Sequence, residues 1–219
     1  GRSGTTWLGS LINWDKQYRE LYEPVHPGYV RQTKNFGFHP YLRPEDQTSH
    51  TGKFLDSVFS GKFKHFRADV SNPRVTYKGL FVKDIFANLL VGWVHQNIPT
   101  AKKIMVIRQP FSAALSKRRH RHWIWMTKPK QFLERPALMQ DYLGPFERLI
   151  SRAGNDFIEN QILIWSIIHY VPFQQLSADN LYVLFYENLF RHPEEELRKL
   201  FDYLGEDAPT ALKEDRLLA

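Results

Sequence analysis

Three short apolar runs, each leading into a polar residue and then a helical pattern, do most to limit what this chain can fold into. They are "GLFVK" around Leu80 to Val82, "KKIMVIR" around Ile104 to Ile107, and "NLYVLFY" around Leu181 to Phe185. Runs this short and this uniformly apolar suit strands covered on both faces. Helical patterns follow them, so the strands run parallel with crossover helices between them, which is an α/β layer fold. In "HPEEELRKLFDYLG" a helix starts at Pro193, is complemented by Glu194 to Glu196 at its positive end, and closes at Gly205. A second helix is expected over Phe157 to Tyr170, where Ile158, Ile162, Trp165 and His169 recur at helical spacing.

A chain of 219 residues, 42% of them hydrophobic, can bury one sizeable core, and it reads as a single domain over residues 1–219. The stretch from Pro24 to Lys78 breaks the pattern, being rich in Pro, Gly, His and aromatics without periodicity. It reads as a long excursion of loops and short helices, a kind of segment that often carries function. The net charge of +7 predicts attraction to anions without choosing among nucleotide, acidic glycan, membrane surface or nucleic acid. With no cysteine, disulfides, thiol nucleophiles and thiolate metal sites are excluded, and a reducing, cytoplasmic location is favoured. No apolar run is long enough to span a bilayer.

Two stretches gather anion-binding chemistry. In "GRSGTTWL", Gly1 and Gly4 can take positive φ, Ser3, Thr5 and Thr6 offer hydroxyls beside backbone amides, and Arg2 adds charge. Trp7, Leu8, Leu11 and Ile12 suggest a helix immediately after, which would set the loop at the positive end of a helix dipole. In "VIRQPFSAALSKRRH", Arg108 emerges at a strand tip, Pro110 breaks the extended run, and Ser112 and Ser116 lie one turn apart on a helix. Ligands of open parallel sheets bind beyond the carboxyl ends of the strands, and two anion sites there fit a nucleotide phosphorylated at two places.

These blocks resemble the sulfotransferases that use 3'-phosphoadenosine 5'-phosphosulfate (PAPS). In that family a basic residue followed by S-G-T-T-W cradles the 5'-phosphosulfate, and R-x-P-x5-S binds the 3'-phosphate; here they are Arg2 to Trp7 and Arg108 to Ser116. The later Y-E-D/N-L element is matched by Tyr186 to Leu189, and the helix that follows it by Pro193 to Gly205. The resemblance implies a P-loop-like three-layer sandwich with a central parallel sheet flanked by helices. It also implies PAPS as cosubstrate, 3'-phosphoadenosine 5'-phosphate (PAP) as product, and no metal. It assigns Arg2, Ser3, Gly4, Thr5, Thr6, Trp7, Arg108, Ser116 and Tyr186 to the nucleotide, with Trp7 stacking on adenine.

For the chemistry, the resemblance points to Arg2 and to Lys83, which matches a lysine many members place near the transferring group. The histidine that follows this lysine by two residues in the cytosolic small-molecule branch is replaced by Ile85. The glycan and tyrosylprotein enzymes instead carry a glutamate downstream of the phosphate loop, and Tyr22, Glu23 and Pro24 match the Y-E-P of the glycan branch. Glu23 is therefore the expected base, with Asp84 and His26 as alternatives.

Members usually have a strand before the phosphate loop and a basic segment after the last helix, so the chain reads as a trimmed domain. Two other classes remain in view. A P-loop kinase is disfavoured because no Gly-Lys-Ser/Thr follows the loop. A nucleic-acid module could use Lys117 to His122 with Trp123 and Trp125, although such a run also follows from a helix beside a phosphate site. The expected partner is a hydroxyl-bearing acceptor, which could be an acidic glycan, a lipid alcohol, a peptide or a small molecule, and not a nucleic acid. Arg31, Lys34, Phe36, Phe38 and Tyr41 in the excursion suit several of these equally.

Overall fold

The computed structural model describes residues 2–120 and 125–207. Gly1, Arg121, His122 and Trp123, which figure in the sequence reading, lie outside the described residues. Helix α1 (Thr5–Ile12) starts on Gly4, whose φ of 78° is left-handed and therefore suits glycine. It buries Leu8 and Gly9, and Leu11 and Ile12 pack beside them against the same cluster. Trp7 departs from the expected stripe: it lies outside that cluster and is 37% exposed. The chain then reverses through Asn13, whose side-chain amide donates to the Tyr18 carbonyl at 2.9 Å while its oxygen accepts from the Tyr18 amide at 3.1 Å.

That reversal launches β1 (Tyr18–Tyr22), a strand the apolar runs do not announce. Its sequence YRELY looks like a surface segment, yet its polar side chains are spent inside. The Arg19 guanidinium donates to the Asp69 carboxylate and to the Gly61 and Phe63 carbonyls. The Asn72 side chain bonds both the amide and the carbonyl of Glu20, standing in for a neighbouring strand. β1 pairs in parallel with β2 (Gly79–Lys83), in the register Tyr18 to Gly79 through Tyr22 to Lys83. Between them runs the excursion, which folds over this pair. Its one longer helix, α2 (His50–Phe59), is capped by Ser49, whose hydroxyl accepts from the Gly52 amide. Phe54, Leu55, Val58 and Phe63 share a core with Leu21, Leu90 and Trp93, the last of these from α3 (Val91–Asn97).

The other expected strands form a second parallel pair, β3 (Ile104–Ile107) with β4 (Tyr182–Phe185), in the register Ile104 to Tyr182 through Ile107 to Phe185. Parallel strands with helices packed on them are thus present, and among the described residues their hydrogen bonding divides into two two-stranded ladders. β3 runs into α4 (Pro110–Arg119), where Pro110 takes the first helical turn and the Gln109 side chain accepts from the Ser112 amide. Helix α5 (Phe157–Gln175) packs on α4 and outruns its expected end at Tyr170, passing through Pro172. Its buried side is Asn160, Gln161, Ile164, Ile167, Ile168, His169, Val171 and Pro172, so of the expected stripe His169 is buried while Ile158, Ile162 and Trp165 are only partly buried. β4 leads directly into α6 (Tyr186–Arg191) and then α7 (Pro193–Leu204), which ends on left-handed Gly205 as expected. Among the described residues no helix is long and apolar enough to cross a membrane.

Candidate active site

The two expected anion-binding stretches meet as one cradle. Arg108 leaves the tip of β3, and its Nη1 donates to the Arg2 carbonyl at 2.9 Å. Arg2 in turn directs its Nε to the Ser116 hydroxyl at 3.2 Å, joining the opening loop to helix α4. The Tyr186 ring closes the circuit from β4. The Arg108 guanidinium carbon stands 4.7 Å from its centroid, and a Cβ at position 4 would fall 2.6 Å from its edge, so only glycine lets loop and ring touch. Arg2 itself adopts φ 68°, a conformation that costs a non-glycine residue of the order of 1 kcal/mol. The strain is held by the bonds at both ends of that residue.

The cradle keeps several donors uncommitted among the described residues. No side chain caps the start of α1, so its first-turn amides face outward next to Ser3, Thr5 and Thr6. Arg108 commits one N–H to the Arg2 carbonyl, and the rest of its fork bonds no described residue. Two supports were not singled out from the sequence. The Glu187 carboxylate accepts from the Gln109 amide at 2.9 Å, pinning the residue next to Arg108, and the Trp165 indole donates to the Arg108 carbonyl at 3.0 Å. Glu187 was visible only as part of the Y-E-N-L match. Its partner is 78 positions away, and no local signal names it.

A second centre lies where β1 and β2 end side by side. Because Tyr22 is in register with Lys83, the next residue, Glu23, reaches across, and its amide donates to the Lys83 carbonyl at 2.7 Å. Its carboxylate meets the Lys83 ammonium at 2.6 Å, with the two side chains only 10% and 6% exposed. Glu23 has φ 49°, so this residue too is held in a left-handed conformation. The Lys83 ammonium also lies 4.2 Å from the Tyr22 ring centroid, and a Cβ on Gly9 would stand 3.9 Å from the Lys83 stem. The ion pair thus sits beside α1 about one turn in from the loop that opens that helix.

The alternative bases are engaged differently. Asp84 gives one oxygen to the Val25 amide at 2.8 Å and the other to the Phe86 amide at 2.7 Å, fixing the turn around Glu23. Burial raises its pKa to about 6 in spite of those two bonds. Lys83 pairs with Glu23 rather than with its sequence neighbour. His26 is buried in a nest of rings, Tyr29 at 4.0 Å, Trp125 at 4.7 Å and Phe86 at 4.9 Å, and accepts from the Gly28 amide through Nδ1. Burial lowers its pKa to about 4, so it stands neutral near pH 7.

The basic run of α4 does not form one exposed stripe. Arg118 and Arg119 are exposed, but Lys117 is buried and donates to the Gln161 side chain at 2.8 Å. Burial lowers its pKa to about 8.

A family model described as "Sulfotransferase family" matches residues 1–210. The chain belongs to the sulfotransferase family. Among solved structures, the sulfotransferase domain from the curacin biosynthetic pathway is similar, with a TM-score of 0.50 and 14% identity over 96% of this chain and 73% of that one. At such identity the likeness speaks for the fold, which is the P-loop-like α/β arrangement expected from the sequence. No curated protein matches the chain. In this sulfotransferase both centres border α1: Tyr186 of the cradle closes on Gly4, and the Lys83 stem of the ion pair lies beside Gly9.

Proposed function

We propose that this sulfotransferase moves a sulfuryl group from PAPS to an acceptor hydroxyl, in the manner of the glycan and tyrosylprotein branch. The observation that carries the reading is the direct bonding of Arg2 to both Arg108 and Ser116, because it joins a 5'-phosphate loop to a 3'-phosphate element in one cradle. Residues Ser3 to Thr6 and the α1 amides would hold the 5' end. Arg108 and Ser116 would hold the 3'-phosphate, and exposed Trp7 would offer its face to adenine. The donor supplies the activated sulfur, and the remaining work falls to the chain.

That work is a proton transfer and a charge transfer. The acceptor oxygen forms a bond to sulfur, the bond from sulfur to the bridging oxygen breaks, and that oxygen leaves on PAP carrying negative charge. Glu23 takes the acceptor's proton. Arg2 and Lys83 are the cations that answer the charge on the bridging oxygen, and as the Lys83 ammonium turns toward it, the Glu23 carboxylate is released to accept the proton. Burial of the pair excludes the water that would otherwise compete as acceptor. No divalent ion is needed for this division of roles, so turnover should survive EDTA.

The test is radiosulfate transfer from PAPS across a set of hydroxyl-bearing sugars, phenols, lipid alcohols and peptides, alongside calorimetry with PAP and 5'-AMP. Transfer to any of these, with a clear preference for PAP over 5'-AMP, is the expected result. Equal binding of the two nucleotides, or phosphoryl transfer that requires Mg²⁺, would overturn the assignment and favour the kinase reading.

A further inference from the structure

We propose that the acceptor carries an anionic group near its reacting hydroxyl and that Arg67 binds it. The proposal rests on the placement of chemistry at Glu23 and Lys83 given above. Following the rings outward from that pair leads to Arg67. The His26 amide donates to the Glu23 carbonyl at 3.1 Å, the His26 ring lies 4.0 Å from Tyr29, and the Arg67 guanidinium carbon stands 3.3 Å from the Tyr29 centroid. Trp125 flanks the same path, 4.7 Å from His26 and 5.6 Å from Tyr29. The charges of Glu23, Arg67 and Lys83 are all felt at the His26 imidazole.

Arg67 differs from Arg19 and Arg43, two other arginines of the first half of the chain. Arg19 is consumed by Asp69 and two carbonyls, and Arg43 by Asp141 and Gln140. Arg67 is exposed, lies flat on Tyr29, and makes no hydrogen bond or ion pair with any described residue. The stacking fixes the plane of the guanidinium while leaving its N–H fork open. A planar fork of this kind matches a carboxylate, sulfate or phosphate with two parallel bonds, and an orientation fixed in advance lowers the entropy lost on binding. Glu23 already has Lys83, whereas Arg67, reached from that pair through His26 and Tyr29, has no acidic partner among the described residues.

An acidic sugar and an acidic phenol share this chemistry, and two matched pairs distinguish them. Methyl glucuronide is compared with its carboxamide, and 4-hydroxyphenylacetate with its amide. Each is titrated calorimetrically into the PAP-saturated protein and also assayed for radiosulfate transfer. At least one acid is expected to bind tenfold or more tightly than its amide. Arg67→Gln should bring that ratio to within twofold while leaving amide binding and PAP affinity unchanged, and Arg67→Lys should restore only part of it. The pair that responds identifies the scaffold. If neither acid binds more tightly than its amide, or if Arg67→Gln leaves the preference intact or weakens acid and amide alike, the proposal is wrong. A wild type that fails to bind PAP would remove the sulfotransferase chemistry and this proposal with it; PAP binding without an acid preference removes this proposal alone.

Discussion

The cradle and the reactive pair are built on opposite principles. In the cradle, charged groups sit near the surface and are tied to backbone: Arg108 to the Arg2 carbonyl, Glu187 to the Gln109 amide. In the pair, Glu23 and Lys83 face each other in a nearly closed space at the ends of two parallel strands. A donor bearing several negative charges is best met by donors that stay open until it arrives, since committed donors would have to be freed first. A proton and a developing oxyanion are best handled by charges removed from water, where each is felt more strongly. Binding and chemistry should therefore separate cleanly under mutation.

The largest effect is expected in the pair. Glu23→Gln removes the proposed proton acceptor and keeps the side chain's shape, so kcat should fall by roughly 10²- to 10⁴-fold, the usual range for losing a general base. Asp84→Asn should reduce turnover less, because Asp84 holds the turn rather than the proton. If Asp84→Asn abolishes turnover while Glu23→Gln retains it, with both variants folded, the base is Asp84. In the cradle, Arg108→Ala should erase most of the preference for PAP over 5'-AMP, since a charge-assisted hydrogen bond contributes about 1.5–3 kcal/mol. Glu187→Ala, which removes the acceptor for the amide next to Arg108, should weaken PAP binding by several-fold, and Glu187→Gln should restore it by keeping an acceptor oxygen in place.

The same contrast governs what the sequence could say. The cradle is composed of contiguous stretches, so Arg2 to Trp7 and Arg108 to Ser116 carry their own signal, and the strands behind Arg108 and Tyr186 are apolar enough to be read directly. The pair depends on β1, whose Arg19 and Glu20 hide a buried strand behind polar side chains satisfied by the returning excursion. Without β1 there is no register, and without the register nothing in the sequence brings Glu23 within 2.6 Å of Lys83. The resemblance named both residues; their union required the fold. The buried face of α5 is hard to read for a related reason: Asn160 and Gln161 are buried because they bond the Gly154 and Met126 carbonyls, and polar residues at core positions hide part of the true interior from an apolar stripe.

A smaller effect concerns pH. Burial lowers His26 and His169 to about 4 from 6.5, so between those values the unfolded chain binds protons that the folded one refuses, and stability rises with pH across that window. Asp84 opposes this. Burial raises it to about 6 from 3.8, the folded form keeps a proton the unfolded form releases, and its contribution falls as pH rises through that range. His39 is lowered by burial as well, and three histidines outweigh one aspartate, so the denaturation midpoint should climb from pH 4.5 to 6.5. Asp84→Asn should steepen the climb by removing the opposing group.

The most direct test of a cradle that binds and a pair that reacts is the calorimetric dissociation constant for PAP, measured for the wild type, Glu23→Gln and Arg108→Ala under one set of conditions. Glu23→Gln should match the wild type within about twofold while its turnover is lost, and Arg108→Ala should bind PAP about tenfold or more weakly, the equivalent of about 1.4 kcal/mol. If Glu23→Gln weakens PAP binding as much as Arg108→Ala does, the two centres are not separate and the division of roles proposed here is contradicted.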